Sequence, residues 1–221
     1  MIEAFQPAQA DYLRDESRRT GSADRIAFPR TETGVLEALA AARAEKMPVT
    51  VQGARTGVTG GAVPEGGLIL NLSKMDRIFP PEGETLRIQP GATLAAIRAA
   101  VPPGLFFAPD PTETSAAIGG MVSCNSSGAL SFLHGPTRNH VLGLRVALLN
   151  GEVLELRRGR DRAAGLRFQL GSISGEFPPI PRPAVKNAAG YFIDPDMDLV
   201  DLFIGAEGTL GVVTEATLRL L

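Results

Sequence analysis

The chain has 221 residues, 44% of them apolar, and a formal net charge of −2, which suits one large globular domain or two packed subdomains with a real core. That charge supplies no global field for nucleic acid or acidic lipid, because phosphate-backbone binding needs a strongly positive surface. One cysteine, Cys124, excludes a disulfide within the chain, and with only two histidines it cannot complete a four-ligand structural zinc site.

The opening residues, MIEAFQPAQADYLRDESRR, hold no apolar stretch long enough for a signal peptide or a membrane span. The expected location is cytoplasmic, with peripheral attachment to the inner face of the membrane left open. A first unit then reads as strand, helix, strand: Arg25 to Phe28, an amphipathic run from Val35 to Lys46, and Pro48 to Gln52. Val35, Leu36, Leu39, Ala40 and Ala42 recur at helical spacing, Thr33 is the expected cap, and Met47-Pro48 ends the helix. A glycine-rich loop runs to Gly61 and a short apolar strand follows at Leu68 to Leu72.

From Thr85 the pattern becomes strands broken by short helices, with TLRIQPG as strand and turn and TLAAIRAAV as helix. VLGLRVALLNGEVLELRR reads as a hairpin about Asn150-Gly151, both of which tolerate the positive φ of a type I′ turn. Residues 157–189 are polar and proline-rich without a sustained period, the pattern of a long surface excursion. The last stretch, DLVDLFIGAEGTLGVVTEATLRLL, reads as a helical turn, a glycine-bearing loop and a strand.

Three glycine clusters carry the chemistry. Gly53 to Gly61 places four glycines in nine positions after a strand, a loop able to wrap an anion with main-chain N–H groups. It is neither a P-loop nor a G-x-G-x-x-G fingerprint, and a plain glycine-rich connection is the bland alternative. Pro109 to Ser115 precedes Ile118-Gly119-Gly120-Met121-Val122-Ser123-Cys124-Asn125-Ser126-Ser127-Gly128. Ser115 is the expected cap of a small-residue helix that lets a planar ring or a pyrophosphate approach the main chain, and a packing helix is the alternative. Ile204 to Val213 has three glycines about Glu207 and by itself is only a turn.

Together these segments, with VLGLRVALLNGEVLEL, resemble the FAD-binding domain of the FAD-linked oxidase family, of the vanillyl-alcohol oxidase and p-cresol methylhydroxylase type, in its glycolate oxidase and D-lactate dehydrogenase branch. The resemblance implies an α+β fold of two α/β subdomains, residues 1–80 and 81–221, with FAD between them and a C-terminal substrate domain lying beyond this chain. It implies that Gly53, Ala54, Arg55, Thr56, Gly57, Gly60, Gly61 and Ala62 hold the pyrophosphate. Pro109, Asp110, Ser115, Gly119, Gly120, Ser123, Asn125 and Gly128 would follow the flavin and ribityl chain, and Val213 the adenine end. Several relatives bond a histidine in this loop to the flavin, whereas Arg55 and Thr56 stand here, so the FAD is expected to be noncovalent.

The remaining chemistry-bearing residues have structural readings. Cys124 is read as a small packed thiol. His134 and His140 lack a nearby carboxylate to complete a metal site. Arg157, Arg158, Arg160 and Arg162 are read as a solvated loop. The resemblance implies oxidation of a 2-hydroxy acid such as glycolate or D-lactate by hydride transfer to flavin N5, with no catalytic residue or metal assigned within these residues and turnover by this chain alone absent or very weak. The implied partners are FAD, a small-molecule substrate met through a further domain or chain, and an electron-acceptor protein or quinone, but no nucleic acid. An FAD-carrying electron-transfer subunit, or the same fold oxidising a sugar lactone or an aromatic alcohol, are the alternatives.

Overall fold

A computed structural model describes residues 2–181, 185, 188 and 190–221. In chain order it contains β1 (Ile2–Ala4), β2 (Arg25–Ala27), α1 (Glu32–Ala44), β3 (Val49–Gln52), β4 (Leu68–Asn71), β5 (Thr85–Ile88), α2 (Leu94–Ala100) and α3 (Ile118–Ser123). There follow α4 (Ser131–His134), β6 (Val141–Ala147), β7 (Val153–Arg157), β8 (Arg167–Leu170), β9 (Ile173–Glu176), α5 (Val200–Phe203) and β10 (Val212–Arg219). The fold is α+β, with a mixed sheet β1-β2-β4-β3, an antiparallel sheet β5-β10-β6-β7 and a two-stranded β8-β9 ribbon.

Strand β4 lies between β2 and β3 and runs parallel to both. Its sequence, LILN, is buried at every position, as a strand covered on both faces requires. Helix α1 covers that sheet with Val35, Ala38, Leu39 and Ala42, the i, i+3, i+4, i+7 stripe of an amphipathic helix. Burial of Val35 and Leu39 contributes about 2 kcal/mol each. The same stripe belongs to a core that includes Ala147 and Val212, so one helix packs on both sheets.

Several local expectations are corrected. The cap of α1 is Thr31, which is extended and whose hydroxyl accepts the Gly34 N–H; Thr33 is already inside the helix. The hairpin between β6 and β7 forms, but its turn is not type I′. Asn150 keeps a negative φ, Gly151 has φ +94°, and the Gly151 N–H donates to the Leu148 carbonyl. That is a three-residue loop closed by a left-handed glycine.

The stretch read as a surface excursion contains the β8-β9 hairpin, turned at Gly171 with φ +58°, and Phe168 stacks on Phe177 at 4.3 Å. Residues 182–184, 186, 187 and 189 of that stretch lie outside the described residues. The basic run is not simply solvated. Arg158 donates to both oxygens of Asp201 at 2.7 and 2.8 Å, and Arg162 donates to the Asp196 carbonyl, while Arg157 and Arg160 lie outward beside Glu155 and Asp161.

Glu32, in the first turn of α1, ties that helix to the second sheet. Its carboxylate accepts two hydrogen bonds from Arg145 of β6, at 2.8 and 3.0 Å, and one from the Thr214 hydroxyl of β10 at 2.6 Å. The Arg145 bonds outweigh desolvation and hold Glu32 below its ordinary value of 4.5. Since the folded value is the lower one, this stabilisation is full above the unfolded value and is lost as pH falls through the folded value. The pair is partly exposed, and Arg145 keeps Glu155 as a second partner, which limits its worth. Urea denaturation at pH 7 is expected to show Glu32→Gln less stable by about 1 kcal/mol, with the gap closing on acidification below the carboxylate range.

Candidate functional site

The glycine loop leaves the end of β3 and is closed by one buried side chain. Gln52 is 1% exposed, and its Nε2 donates to the Ala62 carbonyl at 2.7 Å and to the Tyr12 carbonyl at 2.8 Å. A single amide thus fastens the far end of the loop and the N-terminal segment to the sheet. Asn71 of β4 donates to Gln52 Oε1 and to the Gly53 carbonyl. Arg55, at φ +61°, turns its guanidinium onto the Tyr12 ring at 4.3 Å and donates to the Asp11 carbonyl at 2.7 Å.

The loop forms one side of a cavity of about 320 Å³, the size of a small-molecule pocket. Three lining glycines are not required by the chain's own packing. Among the described residues, a Cβ placed on Gly57, Gly61 or Gly120 meets no atom within 4 Å, and none of the three has a left-handed φ. Gly120 lies within α3, where glycine costs about 1 kcal/mol relative to alanine. Its neighbour Gly119 differs, because a Cβ there would stand 2.7 Å from Pro90 Cβ. Among the described residues, the N–H groups of residues 54–62 donate no hydrogen bond to a protein acceptor. They are available to an anion lying in the cavity.

The opposite wall comes from α3 and the start of β10. Arg138 holds it in place by donating to Ile204 O and pairing with Asp201 at 3.1 Å, while the Glu207 N–H donates to Ser123 O at 2.9 Å. The cluster that read only as a turn therefore delivers Glu207, Gly208 and Gly211 to the cavity. Of the residues expected from the sequence, Gly53, Ala54, Arg55, Thr56, Gly57, Gly61, Ala62, Gly119, Gly120, Ser123 and Val213 line it.

Gly60, Pro109, Asp110, Ser115, Asn125 and Gly128 stand off the wall. Gly60 lies against Arg19 and Pro109 is buried. Asp110 Oδ1 accepts the Leu130 N–H at 2.8 Å, and a Cβ on Gly128 would collide with the Asp110 carbonyl. Asn125 Oδ1 accepts the Arg138 N–H at 3.0 Å. Ser115 does not cap α3, whose N-cap is Ala117; its N–H donates instead to Glu113.

Sequence reasoning missed Asp15, Gln52, Pro90 and Glu113, which also line the cavity. Gln52 and Glu113 lie beside or within the clusters that sequence singled out but were not assigned to the site, whereas Asp15 and Pro90 arrive from segments that no such pattern marks. The charged residues of the wall are Asp15, Arg55, Glu113 and Glu207. Arg55, its one cation among the described residues, is engaged with the N-terminal segment, which leaves main-chain N–H groups as the anion donors. The Ser115 N–H holds Glu113 below the usual carboxylate range.

Cys124 is not a packed thiol: the residue is exposed on the cavity wall. Desolvation of the thiol, and then Glu207, push its pKa up, so it favours the unreactive protonated form. His134 and His140 line a different hollow. His140 is 2% exposed, its Nε2 bonds the His134 carbonyl at 2.9 Å, and burial pushes its pKa down.

A glycine loop with unengaged N–H donors, faced by a glycine-bearing helix across a cavity between two sheets, defines a module that binds a phosphate-bearing cofactor. The chain belongs to the FAD binding domain family, whose pattern matches residues 23–157. It is 35% identical over 202 residues to the glycolate oxidase subunit GlcD of Bacillus subtilis, a match covering 89% of this chain and 37% of that protein. It is 35% identical over 180 residues to a D-lactate dehydrogenase of Anaerostipes hadrus, covering 80% of this chain and 32% of that one. The chain thus spans about a third of the length of these relatives. A solved alkyldihydroxyacetonephosphate synthase shares the fold with a TM-score of 0.75 at 18% identity, covering 100% of this chain and 37% of its own. FAD, the family's cofactor, fits the residues present: the open glycines admit it and the loop donors suit its pyrophosphate.

Two tests separate cofactor contact from packing. Gly57→Val and Gly120→Ala are expected to leave the melting temperature of the cofactor-free chain unchanged or raised, yet to weaken FAD at least ~10-fold in a fluorescence titration. Gly119→Ala instead lowers stability, by about 1–3 kcal/mol, because its Cβ meets Pro90. Gln52→Leu strips the donor from two carbonyls and is expected to cost about 2–4 kcal/mol in urea denaturation.

Proposed function

We propose that the chain is the FAD-binding part of a flavin-dependent oxidoreductase that oxidises a 2-hydroxy acid, of the class of glycolate or D-lactate. The observation that carries the cofactor half of this reading is the set of glycines at 57, 61 and 120, which nothing in the chain's own packing demands. The substrate class is supported by the similarity to a glycolate oxidase subunit and a D-lactate dehydrogenase. Residues 1–80 and 81–221 act as the two FAD-binding subdomains, and the molecule works in the cytoplasm. No helix among the described residues is long and apolar enough to cross a membrane.

In this reading the N–H groups of residues 54–59, 61 and 62 would hold the pyrophosphate, and Gly119, Gly120 and Ser123 bring the main chain of α3 against the cofactor. Val213 and Met121 exclude water from the apolar side. When bound, FAD would supply the two-electron acceptor for a hydride from the hydroxyl-bearing carbon of the substrate. The groups that hold the substrate carboxylate and take its hydroxyl proton belong to a further domain or a partner chain, and electrons leave to an acceptor protein or a quinone. Attachment is noncovalent, in keeping with a cavity that no histidine lines among the described residues.

The purified chain is expected to show a flavin absorbance that heat or acid releases into solution, and FAD at about a hundred times Kd should add about 2.7 kcal/mol of stability in a thermal melt. Glycolate or D-lactate added anaerobically should leave the flavin band of the loaded chain unbleached. Absence of both flavin and thermal shift defeats the cofactor reading, and prompt bleaching would locate the substrate groups within these residues.

A further inference from the structure

Among the described residues, one buried side-chain atom on the cavity wall lacks a hydrogen-bond partner. Asp15 is 8% exposed and lines the wall beside the glycine loop. Its Oδ1 accepts the Ser17 N–H at 2.9 Å, whereas Oδ2 is buried and has no hydrogen-bond partner among the described residues. Among the arginines close to Asp15 in sequence, Arg14 engages Asp11 and Arg19 engages Glu65 at 3.6 Å, while the exposed Arg18 does not reach Asp15 Oδ2; Arg55, on the same wall, donates to the Asp11 carbonyl. A buried carboxylate oxygen without a donor opposes folding. Such a group in a native fold calls for a partner supplied from outside the chain.

The chemistry of that partner is restricted. Phosphate oxygens only accept hydrogen bonds and carry the same charge, so a carboxylate repels the pyrophosphate. The sugar hydroxyls of FAD, on the ribityl chain and on the ribose, are donors of the required kind. A bound cation would need further oxygen ligands, and no cluster of three or more metal-ligating side chains occurs among the described residues. We infer that Asp15 Oδ2 accepts a hydrogen bond from a sugar hydroxyl of FAD and is a positioning and specificity residue of the cofactor site. The inference rests on the reading of the cavity as the FAD site.

Asp15→Asn keeps the acceptor for Ser17 and replaces the unsatisfied oxygen, and Asp15→Ala removes both. Fluorescence titration of the whole chain with FAD is expected to give a Kd raised several-fold by Asp15→Asn and more than ~10-fold by Asp15→Ala. The cofactor-free melting temperature of Asp15→Asn should meanwhile equal or exceed that of the wild type, a pairing that a merely structural role would not produce. Repeating the titrations with FMN and with ADP identifies the source of the hydroxyl: a loss confined to FMN assigns it to the ribityl chain, one confined to ADP to the ribose. Should Asp15→Ala fail to fold, Asp15→Asn decides. Wild-type affinity in Asp15→Asn, or wild-type binding abolished by EDTA and restored by magnesium, overturns the inference while leaving the FAD reading intact. A wild-type chain that binds no FAD defeats both.

Discussion

The two hydrogen bonds donated by the Gln52 amide determine where everything else in the site can be. One reaches Ala62 and closes the loop that begins at Gly53; the other reaches Tyr12 and draws the N-terminal segment over the sheet. A loop with four glycines has many conformations to lose on folding, so it holds a shape only if its ends are fixed. Gln52 can do this because it ends β3 with its side chain buried, where an amide must find partners. Arg55 reinforces the closure from outside, stacked on Tyr12.

Glycines that look alike in sequence serve opposite purposes here. Gly119 admits Pro90 and Gly128 admits the Asp110 carbonyl, so they are conditions of the fold. Gly57, Gly61 and Gly120 border open space and carry the conformational cost of glycine with no internal return. Asp15 follows the same logic in polar form, as a buried oxygen that the fold does not satisfy. Binding sites combine such features because a protein can leave a contact for its ligand only by not making it with itself.

The cavity also depends on how two sheets are held to one another. Helix α1 packs on both, and the Glu32, Arg145 and Thr214 contacts fix its first turn to β6 and β10. At the other wall, Asp201 gathers Arg138 and Arg158, and Arg138 carries this anchoring to the Ile204 carbonyl, just before the turn that presents Glu207. Buried charges of this kind need full pairing to persist. Arg158, one of a run of arginines that reads as solvated, thus supports the wall from a distance.

What the sequence by itself determined is what local pattern and ordered motifs encode. The apolar stripe of α1 and the unbroken apolar LILN of β4 follow from the side-chain pattern, and the pairing of β6 with β7 from the Asn150-Gly151 turn signal between two β-rich runs. The order of the glycine clusters carried the family and its α+β fold. Tertiary structure alone decided the rest. Thr31 rather than Thr33 caps α1, and Asn150 stays out of the left-handed region, because each outcome depends on how neighbouring segments enter the turn. Nothing near Asp15 in sequence announces the cavity, the glycine cluster around Glu207 by itself reads only as a turn, and nothing near Asp110 or Asn125 announces that their side chains serve the chain itself. Period and propensity act over a few residues, whereas the partner of a side chain is chosen by packing between segments tens of residues apart, and only the folded chain specifies that choice.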